Sequence, residues 1–196
     1  MSLRGWRRAG TGKAVSMTDI PDKNGMRFHI RRAAVADAAA IARVHVQSWR
    51  ESYQGIVPQS HLEGLDEGER ARRWHGQLET LQSPSAAFIA LAEGAQGAAL
   101  CGFISCGPAR EAFEGYAGEI YALYLLKSAQ GTGLGRQLFE TARQSLAACG
   151  INGLYLWVLS DNPAAGFYRH MGGQALGRKM LDIGGKPLEE TAYGWK

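Results

Sequence analysis

A glycine-rich segment between two apolar stretches is the part of this sequence with the clearest chemical meaning. Residues 130–136 read Gln-Gly-Thr-Gly-Leu-Gly-Arg; an apolar run at 120–126 precedes them, and an amphipathic stretch begins at Leu134. The first backbone N–H groups of a helix have no intrahelical acceptor and lie at the positive end of the helix dipole, so they bind phosphate groups. Glycines leave a ligand free to approach that backbone. The spacing therefore predicts an anion-binding loop between a strand and a helix.

The positions of these glycines separate three classes of nucleotide-binding loop. A phosphate-binding NTPase loop requires Gly-Lys-Ser/Thr, whereas Gly135 is followed by Arg136 and Gln137. A dinucleotide-binding loop requires glycine at its first, third and sixth positions, and the sixth position counted from Gly131 is Arg136. A methyltransferase loop stays open on the glycines alone, although the 61 residues after Gly135 are few for the doubly wound sheet of that class.

The overall charge argues against a nucleic-acid-binding protein. The 196 residues, a length typical of one domain, carry 22 Lys and Arg against 18 Asp and Glu, a net charge of +4. Four cations, Arg4, Arg7, Arg8 and Lys13, precede the first acidic residue, so the rest of the chain is close to neutral. Binding along a nucleic acid requires a clustered basic face, which this distribution does not favour.

Neither the cysteines nor the histidines show the paired spacing of metal ligands. The residues concerned are Cys101, Cys106, Cys149, His45, His61, His75 and His170. We expect the cysteines to be buried, reduced thiols. No apolar run reaches the roughly 20 residues needed to span a bilayer, and the N-terminus lacks the apolar segment of a secretory signal. These patterns predict a soluble cytoplasmic protein without a metal and without a membrane partner.

The first 25 residues differ in composition from the rest. They are polar, glycine-rich and basic, which predicts a disordered arm because such a segment buries too little apolar surface to order itself. An organelle-type leader or a start assigned too early are the alternatives, with Met17 and Met26 as other possible starts. Residues 26–196 are predicted to form one domain.

From residue 28 onward, hydrophobic periodicity predicts both strands and helices. Strands are predicted at 28–32, 87–93, 98–106, 119–126, 154–159, 175–182 and 188–195, the last two as a hairpin. Helices are predicted at 38–49 with Asp37 as the cap, at 68–81, at 134–149 and at 162–171. The strand at 154–159 is nearly continuous in apolar residues, which is typical of a strand buried on both faces.

Three segments together resemble the GCN5-related N-acetyltransferase (GNAT) family over residues 26–196. They are Glu119-Ile-Tyr-Ala-Leu-Tyr-Leu, Gln130-Gly-Thr-Gly-Leu-Gly and Asn162-Pro-Ala-Ala-Gly-Phe-Tyr-Arg-His-Met-Gly-Gly. The resemblance implies an α/β (α+β) fold with a mixed, mostly antiparallel sheet and flanking helices. It further implies that the two central strands, 119–126 and 154–159, run parallel and splay to admit acetyl-CoA.

The resemblance also implies a set of cofactor-binding residues. Backbone N–H groups of the loop would hold the pyrophosphate, the strand before it would pair with the pantetheine arm, and Asn162 would bond CoA while also capping its helix. These residues are Leu123, Tyr124, Leu125, Gln130, Gly131, Thr132, Gly133, Leu134, Gly135, Arg136 and Asn162. The sequence departs from the family pattern at Lys127 and Ala129, where members often carry Pro and an aromatic residue or His.

Acetyl transfer to an amine requires a proton acceptor, a stabilised oxyanion and a proton donor for the leaving thiolate. Glu119 is the candidate base, with a pKa expected to be raised in an apolar cleft; its alternative role is a structural hydrogen bond. Tyr168 matches the family's general acid, since a phenol protonates a thiolate of similar basicity; its alternative role is aromatic packing. The backbone N–H of Leu125 is the candidate oxyanion donor.

The resulting function is transfer of an acetyl group from acetyl-CoA to a primary amine. We expect the amine to attack directly and not through an acyl-enzyme, because no cysteine lies in a motif that would activate it as a nucleophile. The acceptor stays open among a small amine or amino acid, an aminoglycoside-like drug and a protein N-terminus. Trp49 and Tyr53 are candidates to line its pocket, with core packing as the alternative. A non-catalytic acyl-CoA sensor is the second function class, and a homodimer paired through the final strand is possible.

Overall fold

A mixed sheet crosses the computed structural model, which describes residues 20–21, 27–94 and 97–196. Its strands are β1 (Ile20–Pro21), β2 (Arg27–Arg32), β3 (Ala86–Gly94), β4 (Gly97–Phe113), β5 (Tyr116–Leu125), β6 (Leu154–Leu159), β7 (Gln174–Ile183) and β8 (Lys186–Trp195). Among these residues the sheet has the order β1-β2-β3-β4-β5-β6-β8-β7. Every neighbouring pair is antiparallel except β5 and β6, which are parallel.

Helices cover both faces of the sheet. They are α1 (Ala38–Ser52), α2 (Gln59–Glu63), α3 (Glu67–Glu79), α4 (Leu134–Ala147) and α5 (Ala164–His170). Short 3₁₀ turns at Val35–Asp37 and Lys127–Ala129 lead into α1 and into the glycine loop. The mixed, mostly antiparallel α/β fold predicted from the sequence is confirmed.

The central strands separate along their length. β5 and β6 pair at Gly118 with Leu154 and at Glu119 with Tyr155, and at no later position. From Ile120 onward a gap opens between the two strands, with its closed end at Glu119 and its open end at Leu125 and Leu159. The predicted splay of two parallel central strands is therefore present, and it gives the sheet an internal edge.

The hydrophobic core lies on both faces of the sheet. On one face, α4 buries Leu134, Leu138, Ala142 and Leu146, a helical spacing that turns one side of the helix toward the strands. On the other face, α1 and α3 pack against β3 and β4 through a second apolar cluster. A third cluster joins α1 and α2 to the last hairpin.

Two sequence predictions about local structure are corrected, and one short helix was missed. Asp37 occupies the N-cap position of α1 as predicted, but its side chain makes no capping hydrogen bond; the carboxylate accepts instead from the Arg31 guanidinium at 2.7 and 2.8 Å and from the Ala34 N–H, because a 3₁₀ turn precedes the helix. Cys101 and Cys106 are buried as predicted, but Cys149 is exposed at the end of α4. The helix α2 was not predicted, since five residues are too few to show a helical period.

The last hairpin also differs from its predicted role. β8, the final strand, lies between β6 and β7, so its two edges are already paired. The homodimer predicted through the final strand has no free edge there, and the outer edge of the sheet at this end belongs to β7.

The N-terminal arm falls almost wholly outside the described residues. Ile20 and Pro21 pair with β2, and the rest of the predicted disordered segment lies in residues that the structure does not describe. Within the described residues, no helix is both long and apolar enough to cross a membrane.

Candidate active site

The internal edge of β5 offers unpaired backbone groups to the gap. Leu126 donates its N–H to the carbonyl of Cys101 on β4 at 2.9 Å. Because hydrogen-bonded and non-bonded pairs alternate in an antiparallel ladder, Leu123 and Leu125 direct their N–H and C=O groups away from β4, into the gap. The Gln130 side-chain amide confirms this direction, since it donates to the Leu125 carbonyl at 3.2 Å.

The glycine loop leads from this edge to the N-terminus of α4. Gly133 caps the helix with a left-handed backbone (φ 86°), and Gly131 is also left-handed (φ 75°). An added Cβ at either glycine would meet no heavy atom within 4 Å among the described residues, so this side of the loop is open. The Thr132 hydroxyl donates to the Ala129 carbonyl at 2.8 Å and lies 3.4 Å from the Leu134 N–H. The predicted combination of a turn, an open face and a helix start is therefore present.

The third glycine of the loop, Gly135, is explained by packing and not by turn conformation. Gly135 lies inside the first turn of α4, and an added Cβ would lie 3.3 Å from Phe167 and 3.5 Å from Leu125. A side chain at this position would crowd the Phe167 ring of α5 and fill the contact with Leu125 of β5. Gly135 thus serves helix packing, whereas Gly131 and Gly133 serve the conformation of the turn.

Asn162 fixes the start of α5 at the far side of the gap. Its side-chain oxygen accepts a hydrogen bond from the Ala164 N–H at 2.9 Å, and its backbone N–H donates to the Leu159 carbonyl at the end of β6. The N-cap position of α5 is Pro163, so Asn162 lies one residue before it and bonds the first N–H of the helix from there. The residue is buried beside the end of β6.

Tyr168 lies on α5 with its ring in the core. The ring contacts Phe167 and Trp195, with centroid separations of 5.3 and 6.1 Å, and only 6% of the residue is exposed. Burial raises the pKa of the phenol, and the nearby Tyr53 raises it further. The hydroxyl therefore stays protonated at neutral pH, which is the state that a proton donor requires.

Tyr53 connects the two sides of the gap. Burial raises the pKa of its phenol, while hydrogen-bonding interactions with Tyr124 of β5 and Asn162 lower it and Glu190 raises it. Trp49 packs on the Tyr53 ring at 4.8 Å between centroids, and its indole nitrogen is buried without an acceptor among the described residues. Tyr53 is also part of the third apolar cluster, so its alternative role of core packing is present.

His45 is a buried neutral group behind this aromatic layer. Its ring stacks on Tyr124 at 4.8 Å, and its Nδ1 accepts a hydrogen bond from the Trp74 indole at 3.2 Å. Burial lowers the pKa of His45 to about 3, and Arg70 adds to the effect. The imidazole therefore stays uncharged at neutral pH, with its Nδ1 as the acceptor for the Trp74 indole.

The buried imidazole predicts a loss of stability in mild acid. Because the folded pKa lies below the unfolded value of about 6.5, its contribution is complete above that value and declines as the pH falls toward the folded pKa. Between pH 7 and pH 5 the wild type should lose about 2 kcal/mol more unfolding free energy than His45→Gln. Urea unfolding of both proteins at both pH values measures this difference. Equal losses would contradict the assignment.

Glu119 has the contacts of a structural carboxylate. It accepts from the Arg110 N–H at 2.9 Å, from the Arg110 guanidinium and from the Tyr155 hydroxyl at 3.0 Å, and its side chain is only 2% exposed. Although burial alone would raise its pKa, hydrogen bonds and the charge of Arg110 outweigh that effect and hold the pKa of Glu119 below its usual range. The raised pKa predicted for Glu119 from the sequence is therefore wrong.

Comparisons with known proteins agree on one family. Residues 46–172 match the model of the Acetyltransferase (GNAT) family. The uncharacterized N-acetyltransferase YuaI of Bacillus subtilis (strain 168) is 34% identical over 166 residues, which cover 85% of this chain and 91% of that protein. The chain belongs to the GNAT acetyltransferase family. The family resemblance inferred from the glycine loop and its flanking segments is confirmed.

Solved structures similar to this acetyltransferase have the same fold. PaiA N-acetyltransferase of Thermoplasma acidophilum, solved in complex with coenzyme A, is 20% identical with a TM-score of 0.57 and covers 84% of this chain and 97% of its own. YncA of Salmonella typhimurium, solved with its cofactor acetyl-CoA, is 20% identical with a TM-score of 0.62; the coverage is 86% and 93%. At this identity the two structures establish the architecture.

A second carboxylate of the acetyltransferase was missed by sequence reasoning. Glu190 of β8 pairs with Leu159, at the open end of the gap, and lies 3.4 Å from the Lys179 ammonium. Lys179 also contacts Glu111, so one cation serves two carboxylates. Burial raises the pKa of Glu190, and Lys179 opposes this. No sequence signal marks Glu190, because its place depends on the order β6-β8-β7 and not on local spacing.

No metal site forms among the described residues of the acetyltransferase, since no group of three or more His, Cys, Asp or Glu side chains lies close enough to hold an ion.

Proposed function

We propose that this acetyltransferase transfers an acetyl group from acetyl-CoA to a primary amine by direct attack within a ternary complex. One observation carries the proposal: the unpaired edge of β5 at Leu123 and Leu125 runs directly into an open glycine loop at the start of α4. An extended chain with amide groups and a diphosphate at one end is complementary to that combination. The coenzyme A complex of PaiA and the acetyl-CoA complex of YncA support the choice of donor.

Each part of acetyl-CoA has a place in this proposal. The pantetheine arm pairs with Leu123 to Leu125 as an added strand, and the pyrophosphate accepts hydrogen bonds from the backbone between Gln130 and Arg136. No carboxylate lies between residues 127 and 139, while Lys127 and Arg136 are cations. Binding displaces the Gln130 amide from the Leu125 carbonyl, which then accepts from the pantetheine amide.

The chemistry begins with attack of the uncharged amine nitrogen on the acetyl carbonyl carbon. The Leu125 N–H, directed into the gap, stabilises the negative oxygen that forms. The carbon–sulfur bond then breaks, and Tyr168 gives its proton to the leaving thiolate. The buried ring fixes the direction of that hydroxyl, and Tyr53 and Asn162 occupy the same end of the gap.

The amine proton has two candidate acceptors on this face, Glu119 and Glu190. Glu119 lies at the closed end of the gap and is occupied by Arg110 and Tyr155. Glu190 pairs four residues further along β6, about 13 Å closer to the open end. It also interacts with Tyr53 and shares its only described ion-pair partner with Glu111. The proposal therefore assigns the proton to Glu190, directly or through water, and gives Glu119 the task of holding β4, β5 and β6 together.

The pH dependence of kcat/KM in variants of Glu190 and Glu119 tests which carboxylate is the base. Glu190→Gln should lower kcat/KM by about tenfold at neutral pH, because the ionised carboxylate is lost. It should also remove the acidic limb of the pH profile, which is the fall in kcat/KM as the carboxylate is protonated. Glu119→Gln should lower the melting temperature and keep the limb. Glu189→Gln is the matched control, because Glu189 points to the opposite face beside Arg178. An unchanged limb in Glu190→Gln, with the limb lost in Glu119→Gln, would return the base role to Glu119.

The direct experiment on the function has two stages. Melting temperatures are first measured with acetyl-CoA, S-adenosylmethionine, NAD and ATP at equal concentrations, because selective binding to the folded state raises the melting temperature. A rise with acetyl-CoA alone supports the donor, and thiol release is then measured with a panel of small amines, amino acids, aminoglycosides and N-terminal peptides. A rise with S-adenosylmethionine alone would overturn the proposal. Acetyl-CoA binding without thiol release for any amine would favour the non-catalytic sensor.

A further inference from the structure

The last turn of α1 contacts the 3₁₀ turn that leads from β5 into the glycine loop. The Glu51 carboxylate, in the last turn of α1, accepts a hydrogen bond from the Lys127 backbone N–H at 2.9 Å. Its second oxygen accepts from the Gln47 side chain at 2.9 Å. Lys127 is the first residue of the 3₁₀ turn at Lys127–Ala129, which directly precedes the glycine loop.

The hydrogen bond to Glu51 provides an acceptor for the Lys127 backbone N–H, which has none within its own turn. The first N–H of a helical turn has no acceptor within that turn. A carboxylate makes a charge-assisted hydrogen bond to such a group, which is shorter and stronger than a neutral one. The residue on the other side is already fixed, because Leu126 donates to Cys101 on β4. Glu51 therefore determines the direction in which the chain leaves β5 toward Gly131 and Gly133.

The position of Glu51 is unfavourable for α1 itself. A negative charge in the last turn of a helix lies at the negative end of the helix dipole. The hydrogen bond from Gln47 within α1 offsets part of this cost, so the net contribution of Glu51 to α1 is small. The contact that accounts for a carboxylate at this position is the one with the loop.

We propose that Glu51 is a positioning residue for cofactor binding: its hydrogen bond to the Lys127 N–H sets the glycine loop in the conformation that receives the pyrophosphate. The inference rests on the proposed acetyl-CoA site but adds a residue from α1 that does not touch the cofactor. It predicts that removal of the carboxylate weakens CoA binding without destabilising the free protein.

The main test is the dissociation constant for CoA, measured by calorimetry, in Glu51→Ala. We expect affinity to fall about fivefold, the effect of losing one hydrogen bond to a charged group at an exposed site. Glu51→Gln, which keeps an acceptor oxygen, should recover most of the loss. Glu63→Ala is the matched control, because Gln59 and Glu63 form the same exposed pair at 2.9 Å on α2 without a loop contact. The melting temperature without ligand should stay equal to wild type or rise slightly.

A double-mutant cycle tests the hydrogen bond itself. Proline at 127 removes the N–H, fits the first position of a turn and accepts the extended backbone of Leu126 (φ −58°, ψ 147°). Lys127→Ala keeps the N–H and serves as the matched background. Glu51→Ala should cost about fivefold in the wild-type and Lys127→Ala backgrounds and nothing in Lys127→Pro. An equal cost in all three backgrounds, or no cost in any, would overturn the inference.

Failure of the function and failure of the inference give different results. If the wild type binds no CoA, the proposed function fails, and hydrogen exchange of the 126–133 segment decides the positioning role. Faster exchange there in Glu51→Ala than in Glu63→Ala would support the bond as the loop's anchor. Equal exchange in the two variants would overturn it.

Discussion

Tyr168→Phe should lower kcat for acetyl transfer by about a hundredfold, while the dissociation constant for acetyl-CoA should stay within about twofold of wild type. The reason is that the phenol proton is needed only when the carbon–sulfur bond breaks, whereas the ring packs on Phe167 and Trp195 in both proteins. Stopped assays of thiol release, with the most active amine from the panel, give kcat, and calorimetry gives the dissociation constant.

The matched control for this prediction is Tyr193→Phe. Tyr193 belongs to the same core cluster and is as buried as Tyr168, but it lies on β8 and not on α5. Loss of that hydroxyl should leave kcat unchanged. If Tyr168→Phe also left kcat unchanged, Tyr168 would be an aromatic core residue and the thiolate would take its proton from solvent.

Gly133→Asp should abolish acetyl-CoA binding in the thermal-shift assay, an expected loss of affinity of about a thousandfold. The new carboxylate lies at the N-terminus of α4, where it neutralises the dipole and occupies the open face of the loop that receives the pyrophosphate. The fold should survive, because Asp is tolerated in the left-handed region and at helix N-caps.

Gly133→Asn separates charge from backbone strain. Asn adopts the left-handed conformation as readily as Asp and has nearly the same size, but it carries no charge. It should retain a measurable rise in melting temperature with acetyl-CoA. Full binding by the Asp variant would remove the pyrophosphate from this loop, and equal loss in both variants would attribute the effect to the shape of the turn.

Several elements were predictable because their signals are local. The helical spacing of Leu134, Leu138, Ala142 and Leu146 gave α4, and the continuous apolar run at Leu154–Leu159 gave β6 with its observed bounds. The long hairpin of β4 and β5 was predicted only in part. Its outer portion, residues 107–113, lacks an alternating pattern; Arg110 and Glu111 on it are exposed and make ion pairs across strands.

The two carboxylates show where local reasoning failed. Glu119 was identified from its place before the central strand, but its pKa depends on Arg110, which the hairpin brings opposite it. Glu190 was not identified at all, because only the insertion of β8 between β6 and β7 brings it to the open end of the gap. Electrostatic properties of this kind follow from neighbours that are distant in the sequence.

The sequence by itself indicated the family, through the resemblance of three segments, and it predicted the fold class and the glycine turn, since strands, helices and turns depend on glycine spacing and on hydrophobic periods that are read within a few residues. Only the tertiary structure decided that Glu119 is held by Arg110 while Glu190 lies beside Lys179, that Leu123 and Leu125 present their backbone to the gap, and that Glu51 of α1 accepts a hydrogen bond from Lys127. Those features depend on strand order and register, which bring together residues as far apart as Glu51 and Lys127, and no local pattern encodes such a contact.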